Sequence, residues 1–95
     1  MCAWVSSVAP ARGETVTVYG RLYDNGAPQG GLPMASVWRY KSSAPVCNDG
    51  QTNAVGVAAC QRSIGSATSG YEVRVDVTIN YAGRAYSVAT SFTPK

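Results

Sequence analysis

The sequence predicts an all-β domain, a sandwich built from about six or seven short strands. Apolar segments rich in Val, Thr and Tyr alternate with polar residues, and turn residues separate these segments. No segment repeats its apolar residues with the period of an α-helix. Only 14% of the residues are charged, against roughly 25% in typical soluble domains, and Ser, Thr, Asn, Gln and Gly fill the difference. With 95 residues, the chain is long enough for a single domain, residues 1–95.

Each strand is predicted from the period-two alternation of apolar and polar residues. The clearest segment alternates without a break over Tyr71–Tyr81, and Ala82–Gly83 then allows the tight turn of a hairpin. Gly20 falls on the inner face of another strand, which indicates a close approach of the backbone or a bulge. Residues 24–31 and 43–55 are expected to be loops. The predicted strands are, in order, Ala3–Val8, Thr15–Tyr23, Met34–Lys41, Val57–Ile64, Tyr71–Tyr81 and Arg84–Thr93.

The same alternation divides each strand into an inner and an outer face. Trp38 takes the inner face of the third strand together with Met34 and Tyr40. We therefore expect Trp38 to be a core residue rather than a platform for sugars. The predicted core consists of Val16, Val18, Leu22, Trp38, Val73, Val75, Val77, Val88 and Phe92.

Several short motifs are spread along nearly the whole chain. One covers the second strand and a D-x-G-x-P loop, one enters the third strand, one reads T-x-A-x-G-V-A, and one, S-G-Y-x-V-x-V, is similar to a G-x-Y-x-V-x-V strand. They occupy Gly13–Val18, Gly20–Pro28, Gly31–Met34, Thr52–Ala58 and Ser69–Val75. Together they resemble bacterial immunoglobulin-like domains, such as the repeats of invasin and intimin-type adhesins. Asn53 stands where that family usually has Asp.

This resemblance implies an immunoglobulin-like β-sandwich of about seven antiparallel strands. It implies that Trp38 is the core Trp of the third strand and that Tyr71 takes the part of a tyrosine corner, with its hydroxyl bonded to nearby backbone. Domains of this family serve as extracellular spacers, as adhesion modules or as appendages of secreted enzymes. The fold alone does not select among these roles.

The residue inventory argues against catalysis and cofactor binding. There is no histidine, which removes His-based catalytic triads, Cys–His dyads and nearly all zinc sites. Glu72 and Asp76 share one strand face with Arg74 between them, an arrangement typical of a solvated charge ladder rather than of a catalytic pair. The Lys and Arg residues are scattered singly, and no apolar stretch approaches roughly 20 residues. We therefore expect no enzyme, no cofactor, no nucleic-acid partner and no membrane insertion.

Cys47 and Cys60 could bind a metal, act as nucleophiles or form a disulfide. Their spacing lacks the C-x-x-C pairs of a zinc ribbon, no base for a nucleophile is evident, and Asn48–Gly50 offers calcium only one carboxylate. A disulfide is favoured, because closing a loop of about 14 residues stabilises a small domain by about 3 kcal/mol. It would fix the long connection after the Trp38 strand to the strand that starts at Val57, and it implies an oxidising, extracellular compartment. Cys2 is left outside this pair.

Tyr19, Arg21 and Tyr23 point outward from the second strand, while the apolar residues between them point inward. Exposed Tyr and Arg are favoured at recognition hot spots, so these residues form a candidate surface for a ligand or partner. The alternative is that they cover the face beside a neighbouring strand, next to Gln61. Trp4 on the first, edge strand is a further candidate, either for docking a neighbouring domain or for capping the sandwich.

The function expected from these observations is that of a non-catalytic extracellular spacer or accessory module of a secreted or cell-surface bacterial protein. No secretion signal is visible, so we expect a module of a larger multidomain protein. Its expected partners are the neighbouring domains of that protein, together with a glycan or a protein of a cell surface. The alternative is an adhesion module that binds carbohydrate or protein through its exposed Tyr and Arg residues.

Overall fold

The computed structural model describes residues 1–24, 26–41, 43–65 and 68–95, without the side chains of Asp24, Asn48 and Asp49. Over these residues the fold is all-β, as predicted, and contains no helix. Its strands are β1 Cys2–Val5, β2 Thr15–Arg21, β3 Tyr23–Asp24, β4 Ala27–Pro28, β5 Pro33–Arg39, β6 Val46–Gln51, β7 Val57–Ser63, β8 Val73–Tyr81 and β9 Arg84–Phe92.

Two antiparallel sheets pack face to face in a sandwich. The three-stranded sheet has the order β1-β2-β7, and the four-stranded sheet has the order β6-β5-β8-β9. The short strands β3 and β4 form a separate two-stranded ladder within residues 23–28, a region that was predicted to be a loop from residue 24 onward. Asn25, which was part of that prediction, lies outside the described residues.

The core lies between the two sheets and agrees with the predicted inner faces. Eight of the nine predicted core residues are buried, and Val88 is partly buried and packs against them. Trp38 is fully buried, packs edge-on against Phe92 with ring centroids 5.7 Å apart, and donates its indole N–H to the Ser36 hydroxyl at 2.9 Å. That bond satisfies the one polar group of the indole inside an apolar core. The other buried apolar residues are Met34, Cys47, Ala58, Cys60, Ile64 and Ile79.

Gly20 sits where β2 packs closely against the four-stranded sheet, which confirms the close approach predicted for it. A Cβ atom built on Gly20 would lie 2.7 Å from the Met34 sulfur and 3.1 Å from a Val77 methyl group. Both distances are shorter than an ordinary van der Waals contact. The absence of a side chain at this position therefore lets the four-stranded sheet pack against β2.

The first strand is shorter than predicted, and the segment after it crosses to the other sheet. β1 ends at Val5, and the Ser6 N–H still donates to the Thr17 carbonyl of β2. Further on, Thr93 and Lys95 donate their backbone N–H groups to the carbonyls of Val8 and Pro10 at 2.9 and 3.0 Å. This pairing is parallel, since both partners advance by two residues. Residues 6–10 therefore bridge the two sheets at the side where β1 and β9 form the edges.

The prediction of a loop over residues 43–55 is wrong, because β6 occupies Val46–Gln51. Its register on β5 pairs Cys47 with Ser36 and Gly50 with Met34, so two residues of β6 oppose the single residue Ala35. This is a β-bulge, which inserts one residue and breaks the period-two alternation that reveals a strand. The composition of the bulge, Asn-Asp-Gly, is typical of turns and hid the strand further.

The predicted start of the long strand at Tyr71 is also wrong. β8 begins at Val73, and Tyr71 is exposed in a turn where its N–H donates to the Thr68 carbonyl. Gly70 in this turn has a φ of 77°, which is outside the extended range of a strand. The unbroken alternation therefore extends two residues beyond the paired backbone, and Tyr71 does not reach the inner face.

The predicted hairpin between β8 and β9 is confirmed, and its turn contains a strained residue. Tyr81 pairs with Arg84, which leaves Ala82 and Gly83 as a two-residue turn with φ values of 52° and 78°. Positive φ at both positions defines a type I′ turn, whose twist matches that of the flanking strands. Glycine adopts this conformation freely, whereas alanine does so at a penalty.

We expect the substitution Ala82→Asn to raise the free energy of unfolding by about 1 kcal/mol, because Asn-Gly is the preferred pair for this turn. Urea and thermal unfolding of the two proteins measure the change, and a gain of this size raises the Tm of a small domain by about 4–8 °C. The matched control is Ala85→Asn, an exposed strand position where asparagine brings no gain. Equal effects of the two substitutions would contradict the assignment of strain to Ala82.

Candidate functional site

A disulfide joins Cys47 and Cys60, as predicted, and Cys60 lies on the strand that starts at Val57, but Cys47 lies on a strand rather than in the expected loop. Cys47 lies on β6 and Cys60 on β7, with their Cα atoms 6.4 Å apart. β6 is an edge strand of the four-stranded sheet and β7 is an edge strand of the three-stranded sheet. The bond is therefore a link between two sheets rather than a staple across a loop. Its two thiols are consumed, so they serve neither as nucleophiles nor as metal ligands, whereas Cys2 is free and exposed.

Three of the four residues predicted as a candidate surface, Trp4, Tyr19 and Arg21, lie on the outer face of the three-stranded sheet. The fourth, Tyr23, lies on the short strand β3 and contacts Arg21. Residues directly opposite each other in an antiparallel pair point to the same face, and Trp4 lies opposite Tyr19 in the register of β1 and β2. The two rings stack, with centroids 5.3 Å apart and planes 16° from parallel. We refer to the outward side chains of Trp4, Tyr19, Arg21 and Tyr23 as the aromatic face.

Arg21 and Tyr23 form a second contact on the aromatic face. The Arg21 guanidinium lies over the Tyr23 ring, 4.3 Å from its centroid, and one Nη atom donates a hydrogen bond to the Tyr23 hydroxyl. The Arg21 Nε–H is buried and has no acceptor among the described residues. Met1 and Cys2 line, together with Arg21 and Tyr23, an open groove of about 370 Å³. This volume is at the lower end of the range of ligand pockets, about 300–1,000 Å³.

The neighbouring strand β7 covers the aromatic face only in part. Ala59 lies opposite Tyr19, and Gln61 lies opposite Thr17, diagonal to Tyr19. Trp4 remains 38% exposed and Tyr23 remains 40% exposed. The small side chain of Ala59 therefore leaves the ring of Tyr19 accessible from one side of the strand.

The outer face of the four-stranded sheet carries charge pairs rather than aromatic rings. Asp76 accepts hydrogen bonds from Arg39 of β5 and, at 2.9 Å, from Arg74 of its own strand. The hydrogen bond from Arg39, aided by Arg74, holds the pKa of the Asp76 carboxyl below its usual value, against the opposing effect of desolvation. A carboxylate held between two guanidinium groups remains ionised at neutral pH and is unsuited to proton transfer.

Among the described side chains, no group of three or more His, Cys, Asp and Glu residues could hold a metal ion. The calcium site considered at Asn48–Gly50 involves side chains outside the described part of the structure. No helix in the described ranges is long and apolar enough to cross a membrane. No protein family model, no curated protein and no solved structure matches this chain.

Sequence reasoning identified the members of the aromatic face but missed their pairing. The alternation along β2 indicates that Tyr19 and Arg21 are on one face. Nine residues separate β1 from β2, so no tight turn sets the register that places Trp4 opposite Tyr19. The groove was missed for the same reason, because Cys2 reaches Arg21 only through that register. The signal available in the sequence was the outward alternation on both strands.

Proposed function

We propose that this domain is a non-catalytic spacer or accessory module of a secreted or cell-surface bacterial protein, with an immunoglobulin-like fold. The observation that carries the proposal is the position of the chain ends, which lie at opposite ends of an elongated body of 40 × 20 × 18 Å. A domain that is entered at one end and left at the other separates its neighbours by its own length. This role requires rigidity and needs no active site.

The positions of the two ends follow from the backbone pairing. Cys2 pairs with Arg21, the last residue of β2, whereas Lys95 donates to the carbonyl of Pro10 in the segment that leads into β2 at Thr15. β2 is seven residues long and therefore extends about 20 Å. The chain ends are thus separated along the strands rather than placed side by side.

The strand order supports an immunoglobulin-like arrangement. If the seven longer strands are lettered A to G, the sheets read A-B-E and D-C-F-G, whereas the constant-type immunoglobulin domain has A-B-E-D and C-F-G. Only the fourth strand, β6, changes sheets. The buried Trp38 lies on the third long strand, as in immunoglobulin domains. The disulfide differs, since it joins the fourth and fifth strands here and the second and sixth in antibody domains.

The cross-sheet disulfide supports a location outside the reducing cytosol. Disulfides persist in oxidising compartments and are frequent in small secreted domains whose cores are too small to be stable alone. A domain of 95 residues falls in this class. The bond also favours the spacer role, because a link between the sheets limits their movement against each other.

A second candidate function, recognition of a glycan or a protein, is favoured by the aromatic face. Stacked Trp4 and Tyr19, together with Arg21 held on Tyr23, present the residue types that dominate binding hot spots. Each ring is held by its neighbour, so little conformational entropy is lost when a ligand binds. The two functions are compatible, since a spacer of this shape leaves the outer sheet faces accessible.

Small-angle scattering on one, two and three copies joined in tandem, Lys95 to Met1, tests the spacer function. We expect the maximum dimension to increase by roughly the 40 Å length of the domain with each added copy. A matched series with ten Gly/Ser residues inserted at each junction is the control, because flexible linkers broaden the distance distribution. Copies that fold back side by side, with no increase in length, would contradict the proposal.

Chemical-shift titration with glycans tests the aromatic face as a recognition surface. Binding there should move the indole signal of Trp4 and leave that of Trp38 unchanged, because Trp38 is buried and bonded to Ser36. The two tryptophans thus provide the site signal and an internal control in one experiment. If no glycan moves the Trp4 signal, recognition of sugars by this face is refuted.

A further inference from the structure

We propose that the aromatic face binds a sugar that carries a carboxylate, with the pyranose ring on Trp4 and the carboxylate on Arg21. This inference rests on the proposed recognition surface and specifies its ligand class. It commits to one kind of ligand because the face combines an exposed aromatic ring with a single cation. Neither feature alone would distinguish an acidic sugar from a neutral sugar or from an apolar partner.

The positive charge of Arg21 on the aromatic face favours an anionic ligand. Arg21 is the only charged group among the described side chains that point outward from β1, β2 and β7. The described acids lie elsewhere, since Glu14 precedes β2 at its far end, Glu72 directly precedes β8, and Asp76 lies on β8 of the other sheet. The Arg21 charge is therefore not neutralised by a carboxylate of the described face, unlike the charges of the arginines around Asp76.

The hydrogen-bond state of Arg21 favours a carboxylate over other anions. The guanidinium has five N–H donors in a planar fork that matches the two oxygens of a carboxylate. One donor is used by the Tyr23 hydroxyl, and the buried Nε–H has no acceptor among the described residues. The buried Nε–H is out of reach of a ligand, so a carboxylate would be bound by the Nη–H groups that Tyr23 does not use, where Arg21 lines the groove. Stacking on Tyr23 fixes the plane of the fork before a ligand arrives.

Trp4 supplies the surface for the sugar ring. One face of its indole packs on Tyr19, while the residue as a whole remains 38% exposed. An indole is flat and apolar, so the apolar face of a pyranose can pack against it. Tyr19 holds the ring in place from the side. Trp4 lies on β1, an edge strand, and within the described part of the chain no strand of this sheet pairs with β1 on the side away from β2.

The separation of the two groups fits one acidic monosaccharide. Trp4 and Arg21 lie on paired strands, two residues apart in register, and such diagonal neighbours are separated by about 7–8 Å. A pyranose stacked on Trp4 places its ring carboxylate to one side, and a hydrogen bond of about 2.9 Å then reaches the guanidinium. The groove beside Arg21 and Tyr23 provides room for the carboxylate or for the next sugar unit.

Titration of the native protein with oligosaccharides of galacturonate, of sialic acid and of galactose tests the inference, with the indole NMR signal of Trp4 and calorimetry as the two readouts. At least one carboxylated sugar should bind roughly tenfold or more tightly than the neutral one, as expected for a charge-assisted hydrogen bond. The preference should decrease with added salt, because Arg21 is close to solvent. Comparison of galacturonate with sialic acid shows which of these two carboxylated sugars the aromatic face binds.

Three variants locate the contact. Arg21→Gln should abolish the preference for acidic sugars, whereas Arg12→Gln, an exposed cation at the opposite end of the sandwich, should leave it unchanged. Trp4→Ala should weaken the binding of acidic and neutral sugars alike, by about tenfold, because the variant loses the stacking contact. Thermal unfolding of each variant verifies that the fold is intact, and the comparison of sugars on the native protein needs no variant.

The outcomes separate this inference from the functions on which it builds. If neutral and acidic sugars bind equally and the Trp4 signal responds to both, the proposal of a carboxylated ligand is overturned, while recognition of sugars by the aromatic face is retained. No binding of any sugar overturns both the ligand class and the sugar-binding face, while the spacer function is tested independently by scattering. An acid preference that survives Arg21→Gln overturns the assigned position.

Discussion

The link between the two sheets is the constraint on which the rest of this domain depends. A sandwich of this size has a small core, and its sheets have two open sides where edge strands meet. One side is closed by the Cys47–Cys60 bond between β6 and β7. The other side is closed by residues 6–10, which pair first with β2 and then with residues 93–95. The same closures account for the proposed rigidity and for the separation of the chain ends.

The inner faces of the two sheets are both apolar, whereas their outer faces carry different side chains. A ligand site is therefore sought on an outer face. Every long strand contributes apolar side chains to one core, and Gly20 lets the sheets approach at the position of Met34. The outer face of the four-stranded sheet neutralises its own charges at Asp76, whereas the aromatic face leaves Arg21 without a carboxylate partner among the described residues. This contrast is why the proposed ligand site belongs to the three-stranded sheet.

The parts of the fold that could be predicted are those governed by period-two alternation. The core residues of β2, β5 and β8 and the turn at Ala82–Gly83 belong to this class. β6 could not be predicted, because its bulge shifts the alternation by one residue within a turn-like composition. The cysteine pair was predictable from chemistry, but its role between sheets depends on long-range strand order. The stack of Trp4 on Tyr19 likewise requires a register that no local signal provides.

Unfolding of the oxidised and the reduced protein, combined with a count of reactive thiols, tests the central claim most directly. We expect one reactive thiol before reduction, that of Cys2, and all three cysteines after reduction. Reduction should lower the free energy of unfolding by about 3 kcal/mol, since the bond closes a loop of about 14 residues. Labelling of Cys47 and Cys60 without reductant, or equal stability of the two forms, would contradict a sandwich that depends on this link.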